Sequence, residues 1–211
     1  MDDYPLAWNL SYKSKGQQWR GLFQYSKFEK DLELGGKVLE LGSGDGNSAS
    51  QILKLSEKII CLDIAVSSFR TLPMKELAMP KIVGDARMLP LKAGGFSTVI
   101  CRHVLTHVRH DDSLLILKEV RRILAKNGTA LIEVFTPDDM RYGKGKMIEP
   151  DTFLRQENLI WRFYTMGELK DLVEKAGLKI KKEDILAREV RHDGVEYQRE
   201  SLVVIAGPGL Q

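Results

Sequence analysis

A chain of 211 residues, 43% apolar and 29% charged, has the length and composition of one folded α/β domain, which excludes wholesale disorder. No apolar run reaches the ~20 residues of a membrane-spanning helix. The acidic start Met1-Asp2-Asp3 lacks the apolar core of a signal peptide, so the expected location is the cytoplasm. The net charge of +3 is too small to imply a nucleic-acid partner by itself.

Residues 1–35 precede the first core strand and read as an N-terminal cap segment. Between Lys13 and Lys30, five cations (Lys13, Lys15, Arg20, Lys27 and Lys30) face one acid, Glu29. A solvated helix face is the simpler account of them, a phosphate-facing patch the other. Beyond the cap, β-type runs at Lys37–Leu41, Lys58–Ile64, Lys81–Val83, Ser97–Arg102 and Thr129–Phe135 alternate with helical patterns. Most are nearly continuous in Val, Ile, Leu and Cys, as suits parallel strands covered on both faces. Cys61 and Cys101 sit inside two of these runs with no CxxC partner, so they read as reduced core thiols and not zinc ligands.

The first run ends in Glu40-Leu41-Gly42-Ser43-Gly44-Asp45-Gly46-Asn47, a glycine turn leading into a helix with Ala49, Ile52, Leu53 and Leu55. A dinucleotide fingerprint places its third glycine where Asn47 stands, so the pattern here is GxGxG. Glu40 and Asp45 add negative charge, whereas a pyrophosphate site relies on the positive end of a helix. Two acids fit a ligand with an ammonium and a sulfonium better. Asp63 ends the next strand, 21 residues after Gly42, where a carboxylate accepts ribose hydroxyls. Asp85, in Gly84-Asp85-Ala86 after the third strand, is placed for the amine of an adenine.

After the fourth strand come His103, His107 and His110. His103 and His107 lie four apart, a metal-ligand spacing on a helix, but no third ligand accompanies them and no metal is expected. A helix is predicted over 111–126, stopped by Lys126-Asn127-Gly128. The stretch 136–164 is long for a connector. It interleaves cations and aromatics (Arg141, Tyr142, Arg155, Trp161, Tyr164), which suit a nucleic base with its phosphate or a lid over a small molecule. A capping box, Thr165 with Glu168, starts the next helix, which Gly177 closes. Runs at Lys179–Arg188 and Glu196–Ala206, joined at His192-Asp193-Gly194, read as a hairpin. The expected fold is a single α/β domain over 1–211. It has a Rossmann-like, doubly wound seven-stranded sheet, mostly parallel, with an antiparallel C-terminal hairpin.

The series Glu40-x-Gly42-x-Gly44-x-Gly46, Asp63, Gly84-Asp85-Ala86 and Phe96-Ser97-Thr98-Val99-Ile100 resembles the class I S-adenosylmethionine-dependent methyltransferases over about residues 36–135. That resemblance implies a cofactor, S-adenosylmethionine, which leaves as S-adenosylhomocysteine. Its implied binding residues are Glu40, Gly42, Ser43, Gly44, Gly46, Asp63, Ile64, Asp85, Ala86, Cys101 and Arg102. Trp19, with Trp8 and Tyr12, is expected either over this pocket or in ordinary packing. His103 is the candidate catalytic residue, and His107 is expected to be structural. Ser97 stands where these enzymes often carry Asp.

The segments around Arg141-Tyr142-Gly143, Phe153-Leu154-Arg155, Arg162-Phe163-Tyr164-Thr165 and Arg188 resemble enzymes that make 3-methylcytidine in tRNA, and also small class I methyltransferases of undefined substrate. The acceptor is thus expected to be a tRNA base or a small molecule, bound by Arg141, Tyr142, Arg155, Trp161 and Tyr164. Those tRNA enzymes usually carry an N-terminal extension, and only about 35 residues precede the first core strand here. Two other functions stay open: an NAD(P)-dependent Rossmann oxidoreductase, and an S-adenosylmethionine-binding module without catalysis.

Overall fold

In the computed structural model, residues 3–18, 23, 25–71 and 78–209 are described. Trp19 and Arg20 lie outside them. An N-terminal helix, α1 (Tyr4–Lys15), starts on Asp3, whose carboxylate accepts the Leu6 amide. Five strands follow: β1 (Val38–Leu41), β2 (Ile59–Asp63), β3 (Lys81–Val83), β4 (Phe96–Arg102) and β5 (Leu124–Phe135). Among them lie α2 (Asn47–Ile52) and α3 (His110–Ile123). A short antiparallel sheet, β6 (Lys146–Glu149), β7 (Thr152–Leu154) and β8 (Ile160–Arg162), precedes α4 (Met166–Lys175). The chain ends in β9 (Leu178–His192) and β10 (Val195–Pro208).

The main sheet has the order β3-β2-β1-β4-β5-β10-β9. Its first five strands are parallel, and β10 inserts antiparallel between β5 and β9. This is the seven-stranded, mostly parallel architecture expected from the sequence. Period-two alternation sends successive residues to opposite faces. Val99, Cys101, Ala130 and Ile132 pack with Ile116, Leu117 and Val120 of α3 and Leu169, Leu172 and Val173 of α4. Ile100, Leu131, Val203 and Ile205 pack on the other face against Phe28, Ala49 and Ile52. Cys61 and Cys101 are free, buried thiols in these two layers.

Three details depart from expectation. Helix α3 stops at Ile123 and not at 126, because Leu124 is buried and already pairs with Phe96 as the first residue of β5. Gly128 is therefore no helix terminus. A Cβ there would lie 3.0 Å from the Ala125 carbonyl and 3.1 Å from that of Phe96, so the close crossing of β4 favours glycine. The stretch 136–164 is not an irregular loop but carries the β6-β7-β8 sheet. The capping box at Thr165 forms as read, with both reciprocal bonds. The hairpin turn has positive φ at Asp193 and Gly194, the primed geometry that Asp-Gly favours. No helix among the described residues is long and apolar enough to cross a membrane.

Candidate active site

Strands β1, β2 and β4 end on one edge of the sheet, and the turns after them open into a cavity of about 770 Å³. One end is acidic. At the close of β1, Gly42 adopts φ +67°, and a Cβ on it would lie 2.5 Å from Val104 Cγ2, so no side chain fits. The Asp63 carboxylate, at the end of β2, accepts the Gly44 amide at 2.7 Å and the Ala65 amide at 2.8 Å, tying the glycine turn to the neighbouring strand. Burial nevertheless pushes Asp63 up to about 6. Asp45 accepts the Gln18 amide at 2.8 Å and so anchors the N-terminal segment over the turn.

Glu40 lines the same end and is 3% exposed. Its Oε2 has no hydrogen-bond partner among the described residues. Burial pushes its carboxyl up to about 8, with Arg102 and Ser48 opposing and Asp63 and Asp45 adding to the rise. Buried polar atoms are rarely left unmade, so an open oxygen on a cavity wall marks a place for a donor. Asp85 also lines this end, but its carboxylate is forked by Arg87, which bridges on to Asp112.

The other end is built from the tips of β4, β5 and the hairpin. Arg102 and Glu133 are direct partners across β4 and β5 and form a buried ion pair. Glu133 also accepts the Ser201 hydroxyl at 2.8 Å and lies 3.5 Å from His103 Nε2. Burial would raise Glu133, but the Arg102 guanidinium and the Ser201 hydrogen bond outweigh it and keep the carboxyl below its ordinary value. His103 sits at φ +57° directly after β4, with its ring stacked on Phe135 at 4.2 Å. Burial lowers its imidazole to about 3, so the ring is neutral. His107 is held by Ile160 O at 2.8 Å and packs edge-on to Trp8 and Trp161. Arg141 lies over Phe135 at 3.6 Å and forks onto Asp139. Burial alone would raise Asp139, yet Arg141 draws it down to about 2.

The hairpin completes this wall. Strand β10 pairs with β5 only from Ser201 to Ala206, while β9 and β10 stay paired out to His192 and Val195. The last paired rung, Leu186 with Ser201, and the overhang beyond it, with Arg188 and Arg199, line the cavity.

A family model described as a methyltransferase domain matches residues 12–183. The chain belongs to the methyltransferase-domain family. It is similar to the tRNA N(3)-cytidine methyltransferase of Mus musculus, with 22% identity over 158 residues, 68% of this chain and 41% of the relative. The chain spans less than half the length of the curated relatives it matches. Its fold is similar to a SAM-dependent methyltransferase of Methanosarcina mazei, with TM-score 0.69 and 22% identity over 90% of this chain and 100% of that one. It is likewise similar to the 1,6-didemethyltoxoflavin-N1-methyltransferase of Burkholderia thailandensis, solved with bound 1,6-didemethyltoxoflavin and S-adenosylhomocysteine. That match has TM-score 0.68 and 18% identity over 95% of this chain and 85% of that one.

In this methyltransferase-family chain, Glu40, Gly42, Ser43, Gly44, Asp63, Ile64, Asp85, Ala86, Arg102, His103 and Arg141 share the cavity wall. Gly46 stands behind it as the residue before α2, and Cys101 is fully buried in the sheet. Four proposed acceptor residues stand outside the lining. Tyr142 bonds Asp151 at 2.6 Å, and the Arg155 guanidinium lies over Trp161 at 4.2 Å. Trp161 stacks on Phe135 behind the wall, and Tyr164 is buried, bonding Ser113 and Leu105 O. Of the basic N-terminal stretch, Lys15 pairs with Glu157 and Lys27 with Asp184. Sequence reasoning passed over Glu133, Asp139, Arg199 and Ser201. Glu133 did carry a signal, a lone acid inside an apolar strand.

Proposed function

We propose that this chain is an S-adenosylmethionine-dependent methyltransferase that binds its methyl donor at the acidic end of the cavity and its acceptor at the hairpin end. The observation that carries this is Glu40 Oε2, a buried oxygen on the cavity wall without a partner among the described residues, suited to an ammonium group. Three further acids, Asp45, Asp63 and Asp85, line the same end and favour a cationic ligand. In this assignment Glu40 holds the methionine ammonium and Asp63 the ribose hydroxyls. Asp85 and Ala86 border the adenine beside Ile64, and the backbone of Gly42, Ser43 and Gly44 lies along the donor. Gly46 and Cys101 act through the shape of the turn and strand, and Trp19 is kept as part of the cap. When bound, S-adenosylmethionine supplies a methyl group activated by its sulfonium.

This chain's own residues then align the acceptor and exclude water, the larger part of the rate in an in-line transfer. His103, rigidly stacked on Phe135 and neutral, is assigned to contact with the acceptor. Arg141 is assigned to the acceptor wall, and Tyr142, Arg155, Trp161 and Tyr164 to its support. The acceptor is a tRNA base or a small heteroaromatic molecule. The relatives' names support a ring nitrogen as the acceptor atom, N(3) of cytidine in one and N1 in the other. Residues 1–35 are assigned as a cap, supported by Trp8 and Tyr12 on the cavity wall, and 136–164 as the acceptor-side segment of a single domain. Two unpaired, buried thiols favour a reducing compartment such as the cytoplasm.

Calorimetric titration with S-adenosylmethionine, S-adenosylhomocysteine and NADH tests the proposal. The adenosyl compounds alone should bind, and Asp63→Ala should lose them. Binding of NADH instead would overturn the donor assignment in favour of an oxidoreductase. Tight donor binding without turnover on tRNA or metabolite pools would favour a binding module.

A further inference from the structure

The cavity is electrically polarised. Opposite its acidic end, the hairpin presents two arginines side by side: Arg188 on β9 and Arg199 on β10 are direct cross-strand partners, and both line the cavity. Like charges directly opposite each other destabilise a strand pair, so this rung is held against a penalty. The neighbouring rungs on the same face are Leu186 with Ser201 and Val190 with Tyr197, so no acid of the hairpin lies on that face beside the two guanidinium groups. Arg199 shares Asp139 with Arg141. Arg188 is exposed and makes no hydrogen bond or ion pair among the described residues. Glu200 also lines the cavity, but its carboxylate accepts from Thr136 and Gln198. Of the four arginines at this end, Arg102 pairs with Glu133, and one acid, Asp139, serves both Arg141 and Arg199.

We infer that Arg188 and Arg199 form a two-pronged clamp for a phosphate group on the methyl acceptor. Two guanidinium forks approaching from adjacent strands bring two positive charges and several N–H donors to one point, and a phosphate, with three or four acceptor oxygens and more negative charge than a carboxylate, matches them best. Anion binding between them also relieves the repulsion across the rung. Neither arginine takes part in methyl transfer itself. They fix which end of a planar acceptor points outward, and so determine specificity. The inference rests on the acceptor end proposed above, but its test is independent of methyl transfer.

The test uses the full ¹⁵N-labelled chain, with and without saturating S-adenosylhomocysteine. Arginine Nε–Hε resonances are followed as inorganic phosphate is added at constant ionic strength. Saturable shifts at Arg188 and Arg199 are expected, with affinity about tenfold weaker in Arg188→Ala and partly kept in Arg188→Lys. S-adenosylhomocysteine affinity should be the same in all three proteins. If that ligand fails to bind the parent chain, the donor assignment falls while the phosphate titration still stands. Shifts no larger than chloride produces, or phosphate affinity untouched by Arg188→Ala, overturn the clamp. Cytidine 5′-monophosphate and a single-stranded cytidine hexanucleotide then identify the source. Both should bind more weakly to Arg188→Ala. A steep loss of hexanucleotide affinity with salt assigns the phosphate to an RNA strand, and equal affinity for the two assigns it to a mononucleotide-sized acceptor.

Discussion

Replacing Glu40 with glutamine separates donor binding from folding, because the two respond in opposite directions. In the free protein the Glu40 carboxyl, pushed up to about 8 chiefly by burial, is mostly protonated at neutral pH. An ammonium docked against Oε2 favours the ionised form, so binding releases a proton. From a value of about 8, the ionised fraction is about 0.03 at pH 6.5 and about 0.5 at pH 8. Affinity for S-adenosylhomocysteine should therefore rise about 16-fold over that interval, with about 0.9 proton released per ligand at pH 7. Calorimetry in two buffers of different ionisation enthalpy measures both. Glu40→Gln should abolish the rise and the release and weaken binding at pH 8 by about 3 kcal/mol, about 150-fold. Stability moves the other way. The folded value lies above the usual 4.5, so the native state keeps a proton that the unfolded chain has released. The parent protein accordingly loses stability as pH rises from about 4.5 to about 8. At pH 8 the variant, which has no charge to bury, should be more stable by up to ~4 kcal/mol. A rise of ~2–4 °C per kcal/mol would show in thermal denaturation. A lower melting point together with pH-independent binding in the parent would refute the assignment and leave Glu40 as a packing residue.

Three further outcomes follow from the acceptor end. Glu133→Gln leaves the buried Arg102 guanidinium without its counter-ion and should cost about 3–5 kcal/mol in chemical denaturation. A loss under about 1 kcal/mol would mean that Ser48 and the rings of Phe23 and Tyr25 suffice to hold it. Asp139 is held down at about 2, so its pairs contribute stability above its ordinary value of about 3.8 that is lost as pH falls through about 2. Asp139→Asn should lower the melting point at pH 7 and flatten its decline between pH 4 and pH 2, followed by circular dichroism. His103→Ala should reduce turnover at least about tenfold with S-adenosylhomocysteine affinity within about twofold, the pattern of a residue that contacts the acceptor. Unchanged turnover would remove His103 from the mechanism.

The acidic end of the site was legible in the sequence because its parts are local. Glu40, the glycine turn and Asp45 fall within seven residues, and Asp63 and Asp85 each follow a recognisable apolar run. Where distant parts of the chain meet, local signals misled. Gly128 looked like a helix terminus, yet it lies inside β5, where the Phe96 carbonyl passes 3.1 Å from where a Cβ would stand. Strands β6, β7 and β8 span three or four residues each, too short for alternation to show against a polar background. The acceptor wall was hidden for another reason. Its residues come from β4, β5, the 136–142 turn and both hairpin strands, and they meet only because β10 inserts beside β5. Glu133 and Ser201 are 68 residues apart and still share a hydrogen bond. One clue bridges that distance. In Ala130-Leu131-Ile132-Glu133-Val134-Phe135, an acid interrupts a strand that is otherwise buried, and a buried carboxylate needs a cationic partner. The adjacent run ends in Arg102, the only cation among the residues assigned to β4. Pairing these two charges sets the β4–β5 register at Arg102↔Glu133, the register observed. The same pairing puts an ion pair on the floor of the acceptor pocket, because neither charge is tolerated at a buried strand tip without the other.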